Sequence, residues 1–229
     1  MREIFKGIVK NFKRTGVLQE DVAIFLRMHD CEDTIKHVNT VAEEAKILAS
    51  RFFESQEDAF SAGLLHDVSV LFPEEDRLKI ANELKIDVLP EEKIYPAILH
   101  QKISQVMARE IFGITDENVL NAIGCHTTLK ENASVLDKIV FISDKIRWDQ
   151  KYDAPFKSDV SKALDISLDE SCFCYLNYLW NRKESLAVVH PWMAAAYRQL
   201  GNDLKKFGFS LIYNDDGKIE ASMEASNKN

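Results

Sequence analysis

Residues 57–68 read Glu57-Asp-Ala-Phe-Ser-Ala-Gly-Leu-Leu-His-Asp-Val68. On an α-helix, positions three, four and seven apart share a face. Ala59, Ala62 and His66 therefore form one stripe, and the imidazole points where the small apolar residues point, toward a core. Asp67 stands beside it. A carboxylate taken out of water is costly unless it meets a counter-charge or a metal ion, so this stretch needs partners elsewhere in the chain.

The same spacing finds them. His126 follows Val119, Ala122 and Ile123, His100 shares a stripe with Ile103 and Met107, and Asp144 follows Val140 and Phe141. His37 precedes Val41 by one turn, at the border of its buried stripe. Scattered, these groups would each destabilise the core. Gathered, His37, His66, Asp67, His100, His126 and Asp144 make a metal site. Six ligands exceed what one catalytic ion takes while leaving a position open for water, so the count favours two ions with Asp67 as the bridge. Imidazole and carboxylate ligands suit iron, manganese, zinc or cobalt. The other two of the 6 histidines, His29 at a helix end and His190 before a proline, are expected at the surface or in caps.

Helical periodicity governs the rest. Helices are expected over 3–12, 19–28, 57–68, 77–84, 96–112, 116–126, from 131 or 132 to 148, 158–181 and 191–207. Another, capped from residues 30–34, carries the stripe Ile35, Val38, Val41, Ala45, Leu48 and Phe52. Residues 151–157 read as a loop, and only 209–213 could form a short strand. The fold expected is all-α, a helical bundle with additional C-terminal helices. Residues 1–29 pack on a metal-binding core of 30–150, 151–213 extend the same domain, and 214–229 form a polar, flexible tail.

A net charge of -8 argues against a duplex nucleic-acid partner. It leaves room for a small phosphorylated substrate, because a metal supplies positive charge locally. No segment approaches the roughly 18–20 apolar residues of a membrane span, and Met1 to Arg14 lacks the apolar block of a secretion signal. A cytoplasmic protein with no membrane partner is expected. The 4 cysteines show no paired C-x-x-C spacing. They read as reduced core residues, with Cys125, beside His126, as an alternative ligand.

The order His37, His66-Asp67, His100, His126, Asp144 resembles the HD-domain superfamily in its six-ligand, two-metal form. More narrowly, it is similar to the bacterial HD family of symmetrical diadenosine tetraphosphate hydrolases. The segments that carry the likeness are Lys36-His-Val-Asn-Thr-Val-Ala-Glu-Glu-Ala45, Ala62-Gly-Leu-Leu-His-Asp67, Ala97-Ile-Leu-His100, Ala122-Ile-Gly-Cys-His-Thr127 and Ser143-Asp144, within residues 30–150. The resemblance implies an HD helical bundle, a homodimer, and two divalent ions, iron foremost, with manganese, cobalt or zinc as alternatives. It implies hydrolysis of diadenosine tetraphosphate to two ADP by metal-activated water. His37, His66, Asp67 and Asp144 would hold one ion and Asp67, His100 and His126 the other, these last three being the catalytic residues.

Members of that family usually carry a Lys three residues after the HD aspartate and an Arg three before the first His; here Val70 and Thr34 stand there. Lys102, Lys130, Lys145 and Arg147 are the candidates to hold phosphate instead, the last two nearest a ligand in sequence. Trp148 is a candidate to stack on a base, with core packing as its alternative. The ligand set leaves three other readings open. These are another HD nucleotide phosphatase or alarmone hydrolase, an HD-type di-iron oxygenase similar to inositol oxygenase, and a nucleotide sensor without turnover. Such sensors generally lose ligands, and none is missing here.

Overall fold

The computed structural model describes residues 2–149, 154–206, 210–213 and 219–223. Its helices are α1 (Glu3–Ile8), α2 (Leu18–Arg27), α3 (Glu32–Arg51), α4 (Gln56–Leu65), α5 (Glu74–Glu83), α6 (Pro90–Ile94), α7 (His100–Glu110), α8 (Glu117–Cys125), α9 (Val135–Ile146), α10 (Lys157–Ile166), α11 (Leu168–Trp180) and α12 (Pro191–Lys206). A 3-10 turn, Pro96–Leu99, leads into α7. Among the described residues no helix is long and apolar enough to cross a membrane.

The long α3 is the spine. It packs against α4 along a face of Val38, Val41, Ala42 and Ala45, all fully buried. Gly63 on α4 lets the two backbones meet: a Cβ placed there would lie 2.6 Å from Ala42 Cα. α9 runs through the middle of the bundle, against α3, α4, α8, α10 and α11, and α7 lies along α8. The first two helices are tied to this body by edge-on aromatic contacts among Phe12, Phe25 and Phe112, with centroids 5.3 to 5.9 Å apart.

Side-chain caps set several of the helix starts. Ser55 accepts from the Asp58 N–H and Asp116 from that of Asn118. Ser134 and Asp137 form a reciprocal capping box, so α9 begins at Val135 rather than at 131 or 132. The expected single helix over 158–181 is two. Ser167 is extended (φ -161°, ψ 163°) and accepts from Glu170 N–H, ending α10 and starting α11. The first helix stops at Ile8, short of residue 12, and α6 was not anticipated.

Near the end of the chain, strands β1 (Ser210–Tyr213) and β2 (Ile219–Met223) pair antiparallel. The expected strand is therefore present from Ser210, while residue 209 lies outside the described residues. The expected flexible tail contains β2 instead of being wholly irregular; 214–218 and 224–229 lie outside the described residues, as do 151–153 of the expected loop.

Candidate metal centre

The candidate ligands arrive on five helical segments. His37 is in the second turn of α3, His66 is the residue that caps the end of α4, and Asp67 follows it. His100 opens α7, His126 caps the end of α8, and Asp144 is in the last turn of α9. Three of the rings are oriented in the same way, by the carbonyl three residues earlier. Nδ1 of His66, His100 and His126 lies 2.7, 2.6 and 2.8 Å from the oxygens of Gly63, Ala97 and Ile123. A carbonyl only accepts, so Nδ1 carries the proton in each ring. Nε2 is left as a lone pair aimed into the centre. His37 differs: its Nδ1 is 3.1 Å from Asp149 Oδ1, a charge contact without hydrogen-bond alignment.

Those lone pairs converge. His100 and His126 Nε2 are 3.0 Å apart, and His37 and His66 Nε2 are 3.2 Å apart. Asp67 stands between the pairs and divides its oxygens. Oδ1 is 3.4 Å from His100 and 3.5 Å from His126; Oδ2 is 3.5 Å from His66 and 3.9 Å from His37. Asp144 Oδ1 joins the second side, 3.3 Å from His37 and 3.9 Å from His66. Donor atoms about 2.1 Å from one ion are about 3.0 Å apart at neighbouring octahedral positions and about 3.4 Å in a tetrahedron. The separations here fit that spacing. Two neutral imidazole lone pairs 3.0 Å apart repel each other unless a cation lies between them. The donor set therefore fits a bound metal: His37, His66 and Asp67 could hold one ion, Asp67, His100 and His126 another, with Asp144 reaching the first side.

The electrostatics agree. Burial pushes His66 and His100 down to about 4, so both rings are neutral at neutral pH, the form a metal needs. Burial opposes charge on His37 too, but Asp144, Asp67 and Asp149 raise it to about 9. The proton it then holds stands where a metal charge would serve. Asp67 and Asp144 stay ionised: burial works against their charge, and it is overcome by the histidines around Asp67 and by Lys145 and His37 beside Asp144. Burial also lowers Lys145, but Asp144 outweighs it and pushes the ammonium up.

A cleft of about 340 Å³ opens over the centre. Of the four expected phosphate contacts, only Lys145 lines it. The other three do not line it, and each is paired with a carboxylate elsewhere. Lys102 is buried in an ion pair with Glu92 at 2.8 Å, Lys130 pairs with Asp137 at 3.1 Å, and Arg147 reaches back to Glu44 at 2.6 Å. The second cation in the cleft is Arg77, which sequence reasoning missed. Its Nε and Nη1 donate to the carbonyls of Phe72 and Ala97, leaving Nη2 without a partner among the described residues. Trp148 packs edge-on against Phe156, as its packing alternative expects, and also lines the cleft.

The two set-aside histidines are also corrected in part. His190 is buried, not superficial: Nε2 is 3.3 Å from Glu92 Oε1, while Nδ1 accepts from Trp192 N–H as the cap of α12. His29 is half-buried, with Nε2 3.0 Å from the Ile8 oxygen. All 4 cysteines are free thiols. Burial raises Cys125, which suits a packed thiol better than a ligand.

The model of the HD domain matches residues 34–149, more than half of the chain. The chain belongs to the HD-domain family. An uncharacterized protein in the pepC 5′ region of Lactococcus lactis subsp. cremoris is 46% identical over 152 residues, 66% of this chain and 77% of that one. A symmetrical bis(5′-nucleosyl)-tetraphosphatase of Halalkalibacterium halodurans is 27% identical over 179 residues, 76% of this chain and 92% of that one. The crystal structure of a predicted HD superfamily hydrolase involved in NAD metabolism, from Clostridium acetobutylicum, superposes with a TM-score of 0.73 at 27% identity, covering 80% of this chain and 97% of that one. The HD protein described here is thus an HD-type hydrolase, all-helical in its body, whose His and Asp groups could hold divalent metal.

Proposed function

We propose that this HD protein is a metal-dependent nucleotide phosphohydrolase, and that its leading reaction is symmetrical hydrolysis of diadenosine tetraphosphate to two ADP. The observation that carries this reading is Asp67, whose two oxygens each face a separate pair of imidazole nitrogens. His37, His66, Asp67 and Asp144 would hold one ion and Asp67, His100 and His126 the other. Iron is the proposed occupant, and the donor set also suits manganese, cobalt or zinc. When bound, such ions supply Lewis acidity toward phosphoryl oxygens and acidify water at neutral pH.

The chain's own residues do the rest. The i−3 carbonyls hold three rings in the ligating tautomer. Arg77 and Lys145 bring fixed positive charge to the cleft, where negative charge grows on the phosphoryl group as its linkage breaks. In the net reaction one water adds across an inner P–O–P linkage. The name of the Halalkalibacterium relative supports the choice of substrate.

The test is turnover on a panel of diadenosine tetraphosphate, GTP, deoxynucleoside triphosphates, guanosine tetraphosphate and nucleoside monophosphates, with metal content measured alongside. Diadenosine tetraphosphate should give ADP alone, and Asp67→Ala should lose metal and turnover together. An Asp67→Ala protein that keeps its metal and full activity refutes the reading.

A further inference from the structure

A second hollow, of about 290 Å³, has no part in the chemistry above. Tyr95, Ile98 and Thr127 line both it and the metal cleft. Thr127 marks how close the two are, for its Oγ1 is 3.0 Å from His100 Nε2. The far wall comes from the C-terminal helices and the chain between them, chiefly Tyr175, Leu179, Leu186 and Met193.

Two features separate this hollow from an ordinary packing gap. Its lining contains no Asp, Glu, Lys or Arg, although it adjoins a centre crowded with charge. A further opening at the centre, beside His37 and Asp67, is the opposite, lined by Asp33, Lys36 and Asp149 with no Phe, Tyr or Trp. The wall is also anchored from behind. His190, which lines the hollow, meets Glu92, and Glu92 is paired with Lys102, whose ammonium sits 4.6 Å from the Trp192 ring. This buried network, outside the metal centre, fixes the chain entering α12 against the HD core.

We propose that the hollow is the subsite for the uncharged heterocycle of the substrate, a nucleobase whose phosphates extend past Thr127 to the metal centre. This rests on the reading of the protein as a nucleotide phosphohydrolase. An apolar, aromatic-edged recess beside a phosphate-binding centre suits a planar ring and rejects a second phosphate. The C-terminal extension then completes the active site instead of only finishing the core.

The test is calorimetric binding of ADP and of inorganic pyrophosphate to the metal-loaded full chain, wild type and two hollow-filling variants. Ala187→Trp fills the hollow from an exposed loop position, and Leu179→Trp fills it from α11. Either decides the matter if the other fails to fold. Wild type should bind ADP more tightly than pyrophosphate. Each variant should lose about tenfold or more in ADP affinity, the scale of one lost base-stacking contact, with pyrophosphate affinity unchanged. The proposal is overturned if ADP binding is unchanged in a folded variant, if both ligands weaken equally, or if wild type gains nothing from the adenosine. Because ADP is a product, these outcomes do not depend on turnover. A protein that hydrolyses no nucleotide yet shows the ADP-selective loss keeps the hollow as a base site and loses only the reaction.

Discussion

Gly63→Ala would disturb the centre through its frame while leaving every ligand in place. The new Cβ would lie 2.6 Å from Ala42 Cα, 2.9 Å from Ala42 N and 3.2 Å from Ala42 Cβ. The first two are backbone atoms, so no side chain can swing aside, and α3 must part from α4 by about 0.8 Å to restore ordinary contact. Overpacking costs about 1–3 kcal/mol, and an overlap with backbone belongs near the top of that range. Alanine returns about 1 kcal/mol of helix propensity. The net loss is about 2 kcal/mol, which lowers Tm by about 4–8 °C in a domain of this size. The same separation widens the 3.2 Å gap between His37 on α3 and His66 at the end of α4, so metal content should fall with Tm. Thermal unfolding by circular dichroism and elemental analysis of the purified protein read the two effects. Gly124→Ala is the control: the three atoms nearest its Cβ are all in the amide of Gln105, the mobile end of a half-buried side chain, at 2.8 to 3.0 Å. That variant should be neutral or slightly stabilised. A Gly63→Ala protein with wild-type Tm and full metal would refute the claim that this contact sets the ligand spacing.

Chelation should lower Tm, because it leaves the Nε2 lone pairs of His100 and His126 facing each other at 3.0 Å. At a metal concentration of 100 times Kd the bound ion contributes about 2.7 kcal/mol, or roughly 5–11 °C; an unchanged Tm after metal removal would exclude a metal bound to the folded state. Arg77→Met and Lys145→Met should each lower kcat/KM for nucleotides by about tenfold or more, whereas Lys130→Met and Arg147→Met should not; steady-state kinetics that rank them the other way would return the phosphate site to the latter pair. Glu92→Gln leaves Lys102 charged and buried, at a cost of about 3 kcal/mol at neutral pH. Burial works to raise Glu92, but His190 and Lys102 hold it below its usual value of 4.5, so wild type keeps this stabilisation above that pH and loses it as pH falls through the lowered value. The Tm gap between the two proteins should therefore close in acid, and a gap that stays constant down to pH 3 would show that the pair carries none of it.

The helices and the candidate ligands were legible in the sequence for one reason. An amphipathic stripe at helical spacing is a local signal, and a His or Asp placed on it, as at His66, His126 and Asp144, stands out at once. The break at Ser167 was missed, although Ser167-Leu-Asp-Glu170 is a capping sequence. The phosphate-side cations were not legible. Whether Lys102, Lys130 or Arg147 faces the cleft depends on Glu92, Asp137 and Glu44, the last 103 residues away from Arg147 in the chain. Arg77 enters because α5 folds against the turn at Pro96–Leu99, a long-range packing that no spacing announces. His190 was legible in part: proximity to a proline says cap, which its Nδ1 is, and only the tertiary contact with Glu92 says buried.

The rings of His66, His100 and His126 take their bearing from carbonyls within their own turn of chain. Each imidazole therefore carries its own alignment jig, made of main chain that every amino-acid type supplies. Side chains around the cleft can be exchanged without unseating these three ligands, provided the helix ends persist. A centre built in this way is portable. The substrate can change with the walls, through Val70, Arg77 or the C-terminal helices, while the chemistry at the middle is inherited unaltered.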